Sequence, residues 1–411
     1  MKRLLNIDYA LIQAFFWMLY CPAGVFVSAI LLEKEYSNFS IGVIIAVGSL
    51  LAILMETIIA HITDRVSSLT DIKMIKILIF ALILAVLLVL FIGEKSIALT
   101  IAYIGLIVIH TTMHPFVNAL SFTLEETGYQ VSYGAGRSMG SLAAGLMCFA
   151  MGYFIAWFNS DVVLYAALFL LVLMALVIFR TDYHYKNAMV SSEIQMKAIS
   201  KERTNDPAEE VQIGMPEFIR RNKIFVVMSV GIIGLFFGNV IVENFALQIV
   251  QSIGGSTENM GIIIFLLSIF EMPTMLGFNK LKNHFSYAFL LRVSAVFFSL
   301  KIVIMYFAGT MMTFYLAQLC QVLGYGLLFP AIVSFTDHIM EKGEALRGQA
   351  IFTVALTLGN VIGSVVGGVI LDLYTAHILL MAGSIVSAAG TILIVALVHR
   401  VEIENARRKS A

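Results

Sequence analysis

Charge is scarce in this sequence. Asp, Glu, Lys and Arg make up 13% of its 411 residues and cancel to a formal net charge of zero, whereas a soluble domain carries about a quarter. With no basic excess, nothing marks nucleic acid as a partner. Cysteine is almost absent as well. Cys21, Cys148 and Cys320 all lie inside apolar runs, and an odd count with no extramembrane pair argues against a disulfide framework. The start, Met1-Lys2-Arg3 and then mixed residues, lacks the short apolar core and small-residue cleavage site of a signal peptide, so none is expected. Also missing are a nucleophile grouped with a base and an orienting residue, a phosphate-binding loop and a metal cluster. Neither enzymatic chemistry nor a cofactor or metal is therefore expected.

What the chain has instead is apolar length. Hydrophobic residues make up 60% of it, and mean hydropathy is +0.93. A membrane span needs roughly 20 apolar residues. Twelve such runs occur, near 9–32, 40–62, 74–93, 97–122, 136–158, 161–180, 222–250, 257–278, 285–308, 311–335, 348–371 and 376–399. With both termini assigned to the cytoplasm, all 26 Lys and Arg except Lys34, Lys95 and Lys301 fall on that side or at its interface, the bias of the positive-inside rule. Short loops suggest a bacterial protein of the cell membrane, so the sequon Asn38-Phe39-Ser40 is not expected to be glycosylated.

From Thr181 to Arg221 the chain turns charged, with KERTNDPAEE at its centre. The plain reading is a cytoplasmic linker carrying one short interfacial helix; a regulatory role is the alternative. The expected domains are thus 1–180, a linker 181–221, and 222–411. The two halves repeat weakly and in the same order. Gly42 and Ser49 of span 2 match Gly261 and Ser268 of span 8, Pro115 and Ser121-Phe122-Thr123 match Pro330 and Ser334-Phe335-Thr336, and Arg137 matches Arg347. Such repeats mark secondary transporters. The expected fold is an all-α membrane protein of twelve transmembrane helices in two pseudo-symmetric six-helix bundles.

Two segments carry a family resemblance. Tyr133-Gly134-Ala135-Gly136-Arg137-Ser138-Met139-Gly140-Ser141 and the loop Thr63-Asp64-Arg65 resemble motifs of the major facilitator superfamily, in the branch of lactose permease and related sugar or nucleoside proton symporters. The resemblance implies that Arg137 reaches a substrate cavity and that Asp64, with Arg65, braces a cytoplasmic gate. Departures are as telling. The chain has Asn118 where that permease has a sugar-binding glutamate and Ala144 where it has a stacking tryptophan. Gln318 to Gly324 lacks its coupling histidine and glutamate, while Lys301 matches an arginine. The scaffold transfers; the galactoside and its proton path do not.

The remaining candidates are polar groups at bilayer depth, which are costly unless they face a cavity or a partner. His110, His114 and Asn118 recur every four residues and share one helix face, and Ser121 and Glu125 extend the stripe. They line a cavity wall with titratable imidazoles, or they are packing glue; a metal site would need a third ligand. Trp17, Asn239, Asn244 and Asn360 are further substrate-side candidates. Arg137 binds substrate if it lies inside the bilayer, and is an interfacial anchor if its helix begins there. Lys301 needs an acidic partner, Glu271 or Glu243. Glu271, beside Met272-Pro273 near mid-membrane, is the preferred one, and such a pair either couples protons or is structural. Glu56, above Asp64, is expected to join the gate.

The function expected is proton-coupled symport of a neutral polar solute (oligosaccharide, glycoside or nucleoside) by a monomer, with access alternating as one half rocks against the other. The partners are the solute, the proton and the lipid bilayer. Three acids, Glu56, Glu243 and Glu271, against two bases, Arg137 and Lys301, leave no strongly signed pocket. The alternative is a proton-driven exporter of amphipathic compounds, for which 21 Met and 30 Phe would make an adaptable cavity. Against it, span 5 lacks the proline of the usual exporter signature.

Overall fold

The computed structural model describes residues 1–66, 69–196, 214–340 and 344–409, without the side chains of 64, 191–196, 346 and 405–409. Among the described residues every regular element is helical. Backbone polar groups have no water to bond in a bilayer, so a run that crosses it must satisfy them internally, which a helix does. Among the described residues twelve helices are long and apolar enough to cross. They are Lys2–Val25, Asn38–Thr63, Asp71–Ile92, Ile97–Glu125, Tyr133–Trp157, Val162–Val190, Lys223–Asn244, Thr257–Leu281, Tyr287–Phe307, Met311–Ile339, Arg347–Leu373 and Ala376–Glu404, numbered spans 1 to 12 below.

Local chemistry starts these helices. Hydroxyls at Thr70, Ser96, Ser132, Ser286 and Thr310 accept hydrogen bonds from backbone N–H groups of the first turns of spans 3, 4, 5, 9 and 10, as N-caps do. Span 8 opens with a reciprocal box between Ser256 and Asn259. The sixth span overruns expectation. Its helix continues to Met196, fifteen residues past Thr181, because Thr181 to Met196 holds no proline or glycine to stop it. A short helix, Met215–Arg221, buries Phe218 beside span 7. The rest of the expected linker, 197–213, lies outside the described residues.

The chain forms two compact units, Met1–Tyr36 with Val47–Asp206, and Ser37–Ala46 with Pro207–Ala411. In the first, span 6 shows one apolar face outward, with Tyr165, Phe169, Val172, Leu176 and Phe179 all more than 60% exposed except Val172 at 53%. Leu164, Leu171, Met174 and Ile178 on the other side are fully buried. This stripe recurs at helical spacing and suits lipid contact. The carboxylate of Asp8, itself buried, receives Arg180 and the Nδ1 of His184 (2.7 Å), tying span 1 to span 6.

In the second unit, spans 7 and 12 approach through glycine. A Cβ on Gly231 would sit 2.6 Å from the carbonyl oxygen of Gly390, and one on Gly390 2.4 Å from that of Gly231. Small residues at a crossing let backbones meet where lipid offers no hydrophobic drive. The first turns of span 2 also belong here. Asp372 accepts from the backbone N–H groups of Asn38 and Phe39, each at 2.9 Å, and caps that helix. The amide of Asn38 is engaged as well, donating to Asp372 at 3.0 Å and accepting from Gln248 at 2.9 Å.

Candidate functional site

Among the described residues each unit holds a polar cluster at membrane depth that bears a cation. In the first unit it is assembled from spans 1, 4 and 5. Gly136 and Gly140, one turn apart on span 5, admit the rings of span 1: an added Cβ would fall 2.4 Å from Tyr9 Cε1 and 2.5 Å from Trp17 Cδ1. With span 1 drawn that close, Arg137 lays its guanidinium on the Trp17 indole, Cζ 3.9 Å from the ring centroid, and donates from Nη1 to Ser141 Oγ at 2.8 Å. Span 5 begins at Tyr133, so Arg137 stands a turn inside its helix rather than opening it. A planar cation over an aromatic face is a stabilising pair.

The stripe on span 4 meets the same rings. His110, 4% exposed, stacks on Phe16 with centroids 4.7 Å apart and planes 2° from parallel. Its Nε2 lies 3.2 Å from the Phe16 carbonyl oxygen. That oxygen only accepts, so Nε2 carries the proton. His114 stacks on Phe16 at 5.6 Å and meets the edge of Trp17 at 5.5 Å. Its Nε2 is 3.0 Å from Asn118 Nδ2. Asn118 Oδ1 already accepts from Gln13 Nε2 at 3.2 Å, so its Nδ2 is the donor. His114 therefore holds its proton on Nδ1, and the two imidazoles are opposite tautomers.

Gln13 organises this cluster and was not singled out from the sequence. Fully buried, it donates to the Tyr9 hydroxyl at 2.8 Å and to Asn118, and accepts from Trp17 Nε1 at 3.2 Å. The available signal was a neutral amide within the apolar run of span 1, easily passed over beside ionisable groups.

The cluster of the second unit centres on Lys301, which is 1% exposed. Nζ donates to Asn239 Oδ1 and to Gln321 Oε1, each at 3.0 Å. Glu243 of span 7 and Glu271 of span 8, the two acids expected as partners, both act on this charge. Asn239 and Glu243 are four residues apart on span 7 and so share a face of that helix. Asn244 turns elsewhere, donating to Ser364 Oγ at 2.8 Å, which in turn donates to Asn360. Asn239 and Asn244 thus serve different neighbours, and Asn244 and Asn360 are linked through Ser364. Gln321, earlier notable only for not being a titratable residue, is the second holder of the lysine.

At the expected gate, Arg65 is the exposed last residue of its helix, and Glu56 is half-buried two turns above it. The Asp64 side chain, and with it any contact to Glu56, lies outside the described residues.

The sequence profile of the MFS_1-like family matches residues 9–382. The chain belongs to that family. It is a major facilitator transporter, not an enzyme, and a multi-pass membrane protein. Solved structures agree in fold. A mutant of the nucleoside transporter NupG superposes with a TM-score of 0.75 at 12% identity, covering 96% of this chain and 99% of that one. Another NupG structure gives 0.73 at 13%, over 96% and 98%. A mutant of the peptide transporter POT gives 0.66 at 14%, over 97% and 95%. No curated protein matches the sequence. Within this major facilitator chain the twelve spans are those expected.

Proposed function

We propose that this transporter carries a neutral polar solute (an oligosaccharide, glycoside or nucleoside) by proton-coupled symport with alternating access. The observation that carries the reading is the cluster on spans 1, 4 and 5. Trp17, His114 and Phe16 offer flat faces, Asn118 and the imidazoles offer donors and acceptors, and the one permanent charge, Arg137, is already laid over an indole. A hydroxylated ring with an apolar face suits such a wall, while an anionic solute would meet only one cation. His110, His114, Asn118, Arg137 and Trp17 are the proposed substrate contacts. Asn239, Asn244 and Asn360 add neutral groups in the second unit. Lys301 with Glu243, and Glu271 beyond, is the proposed coupling group, and Asp64, Arg65 and Glu56 the proposed gate.

NupG, of like fold, is a nucleoside transporter by name, which places nucleosides among the first solutes to test. The protein is proposed to act as a monomer in a bacterial cell membrane with both termini in the cytoplasm. Counterflow of labelled uridine, adenosine, lactose and maltose in proteoliposomes is the test. Exchange of one of them above empty vesicles, with uphill uptake driven by an inward proton gradient, is expected. No exchange of any would sink the solute class, and exchange without gradient-driven uptake would sink the coupling.

A further inference from the structure

Span 10 is not one helix. It runs helically from Met311 to Ala317, tightens into a 3-10 turn over Gln318–Gln321, bends, and restarts at Tyr325. Non-helical backbone at membrane depth survives only where the freed groups find partners inside the protein. The freed Val322 carbonyl is met by the Thr274 hydroxyl of span 8. Gly324 lets the bend press on span 9, where a Cβ would come within 3.2 Å of the Phe298 backbone nitrogen.

One turn further along span 9 is Lys301, whose ammonium donates at 3.0 Å to Gln321, the last residue of the 3-10 turn. The break is thus fastened by a charged group. Span 1 has a break of its own, a π-helical stretch over Cys21–Val25. That one is fastened by a neutral group, the Tyr103 hydroxyl donating to the Pro22 carbonyl at 2.8 Å. A charge-assisted bond is roughly twice as strong as a neutral one, and it can be switched off by removing the charge. The titratable groups acting on this ammonium are Glu243 from span 7, Cys320 from the break itself and Glu271 from span 8.

We propose that Asn239 and Gln321 form a receptor for a primary ammonium ion, filled by Lys301, and that this charge holds the break of span 10 in place. Loss of the charge would then loosen residues 318–324 without disturbing the break in span 1. This goes beyond the transport reading and needs no solute to test.

The measurement is backbone hydrogen exchange of the full-length protein in nanodiscs, followed in peptides covering 318–326 and 19–26. Lys301→Ala is expected to speed exchange in 318–326 about tenfold, as for loss of one hydrogen bond to a charged group, and to leave 19–26 unchanged. Added methylammonium should restore protection, and tetramethylammonium, which has no N–H to donate, should not. Gln321→Leu, which keeps the lysine, should speed exchange in the same segment. Should Lys301→Ala fail to fold, the same comparison is made in a Glu243→Gln background, which removes one of the two carboxylates acting on the ammonium. The proposal is overturned by unchanged exchange in 318–326, by equal change at both breaks, by no rescue with methylammonium, or by equal rescue with both ions.

Discussion

The two clusters handle positive charge in opposite ways. In the first unit the Arg137 guanidinium is half-buried and lies flat on an indole, with Ser141 as a hydroxyl partner. In the second the Lys301 ammonium is buried and held end-on by two amide oxygens, with an acid beyond. The guanidinium stays charged and offers several donors in a plane, which suits reading the shape of a solute. An ammonium is a point charge that can lose its proton, which suits coupling. On the proposed reading, the comparison separates a recognition cation from a coupling cation, on different elements.

The largest way to break that separation is Lys301→Ala. It removes the ammonium from Asn239 and Gln321, a loss of about 1.5–3 kcal/mol for each hydrogen bond to a charged group, read as a fall of the thermal midpoint in detergent. Adding Glu243→Gln should recover most of it and adding Glu271→Gln little. The reverse result would return the pair to span 8. Next is Gln13→Leu. Three side chains lose a partner at once, so stability should fall by about 1–3 kcal/mol, and Arg137 should lose its fixed indole as Trp17 is freed. Thermal unfolding gives the first, and solute binding by tryptophan fluorescence the second.

Arg137→Lys should change stability by less than about 1 kcal/mol yet weaken solute binding on the order of tenfold or more, since an ammonium lacks the planar fork. Equal loss of stability and binding would make Arg137 a structural residue. The smallest effect is expected of His110→Phe. The stack on Phe16 survives in kind and the donor to the Phe16 carbonyl goes, about 1 kcal/mol, while counterflow should fall severalfold with the loss of a proposed solute contact. Unchanged counterflow with normal folding would instead make His110 a packing residue.

Much of this was legible beforehand. Twelve apolar runs can only be twelve spans, because an unpaired backbone in lipid is too costly. His110, His114 and Asn118 were readable as one face because four residues nearly complete a helical turn. Gln13 was not readable, since a neutral amide acquires a role only from the helices placed beside it. Lys301 shows the same limit. Depth along the chain left Glu243 and Glu271 both in reach, and the amides that hold the ammonium, Asn239 and Gln321, emerge only once spans 7, 9 and 10 are placed together.

The break in span 10 marks the boundary most clearly. Gln318-Leu319-Cys320-Gln321 contains no proline or glycine, and Gly324 alone does not dictate a bend. What bends the chain there is the neighbouring spans: Thr274 takes the freed carbonyl, span 9 fills the notch and Lys301 holds the amide. The sequence by itself determined the membrane, the number of spans and the faces on which polar groups fall, since those follow from local periodicity and burial cost. Which polar groups meet was decided by tertiary structure alone, since hydrogen bonds and ion pairs act over a few ångströms and depend on how each helix is turned.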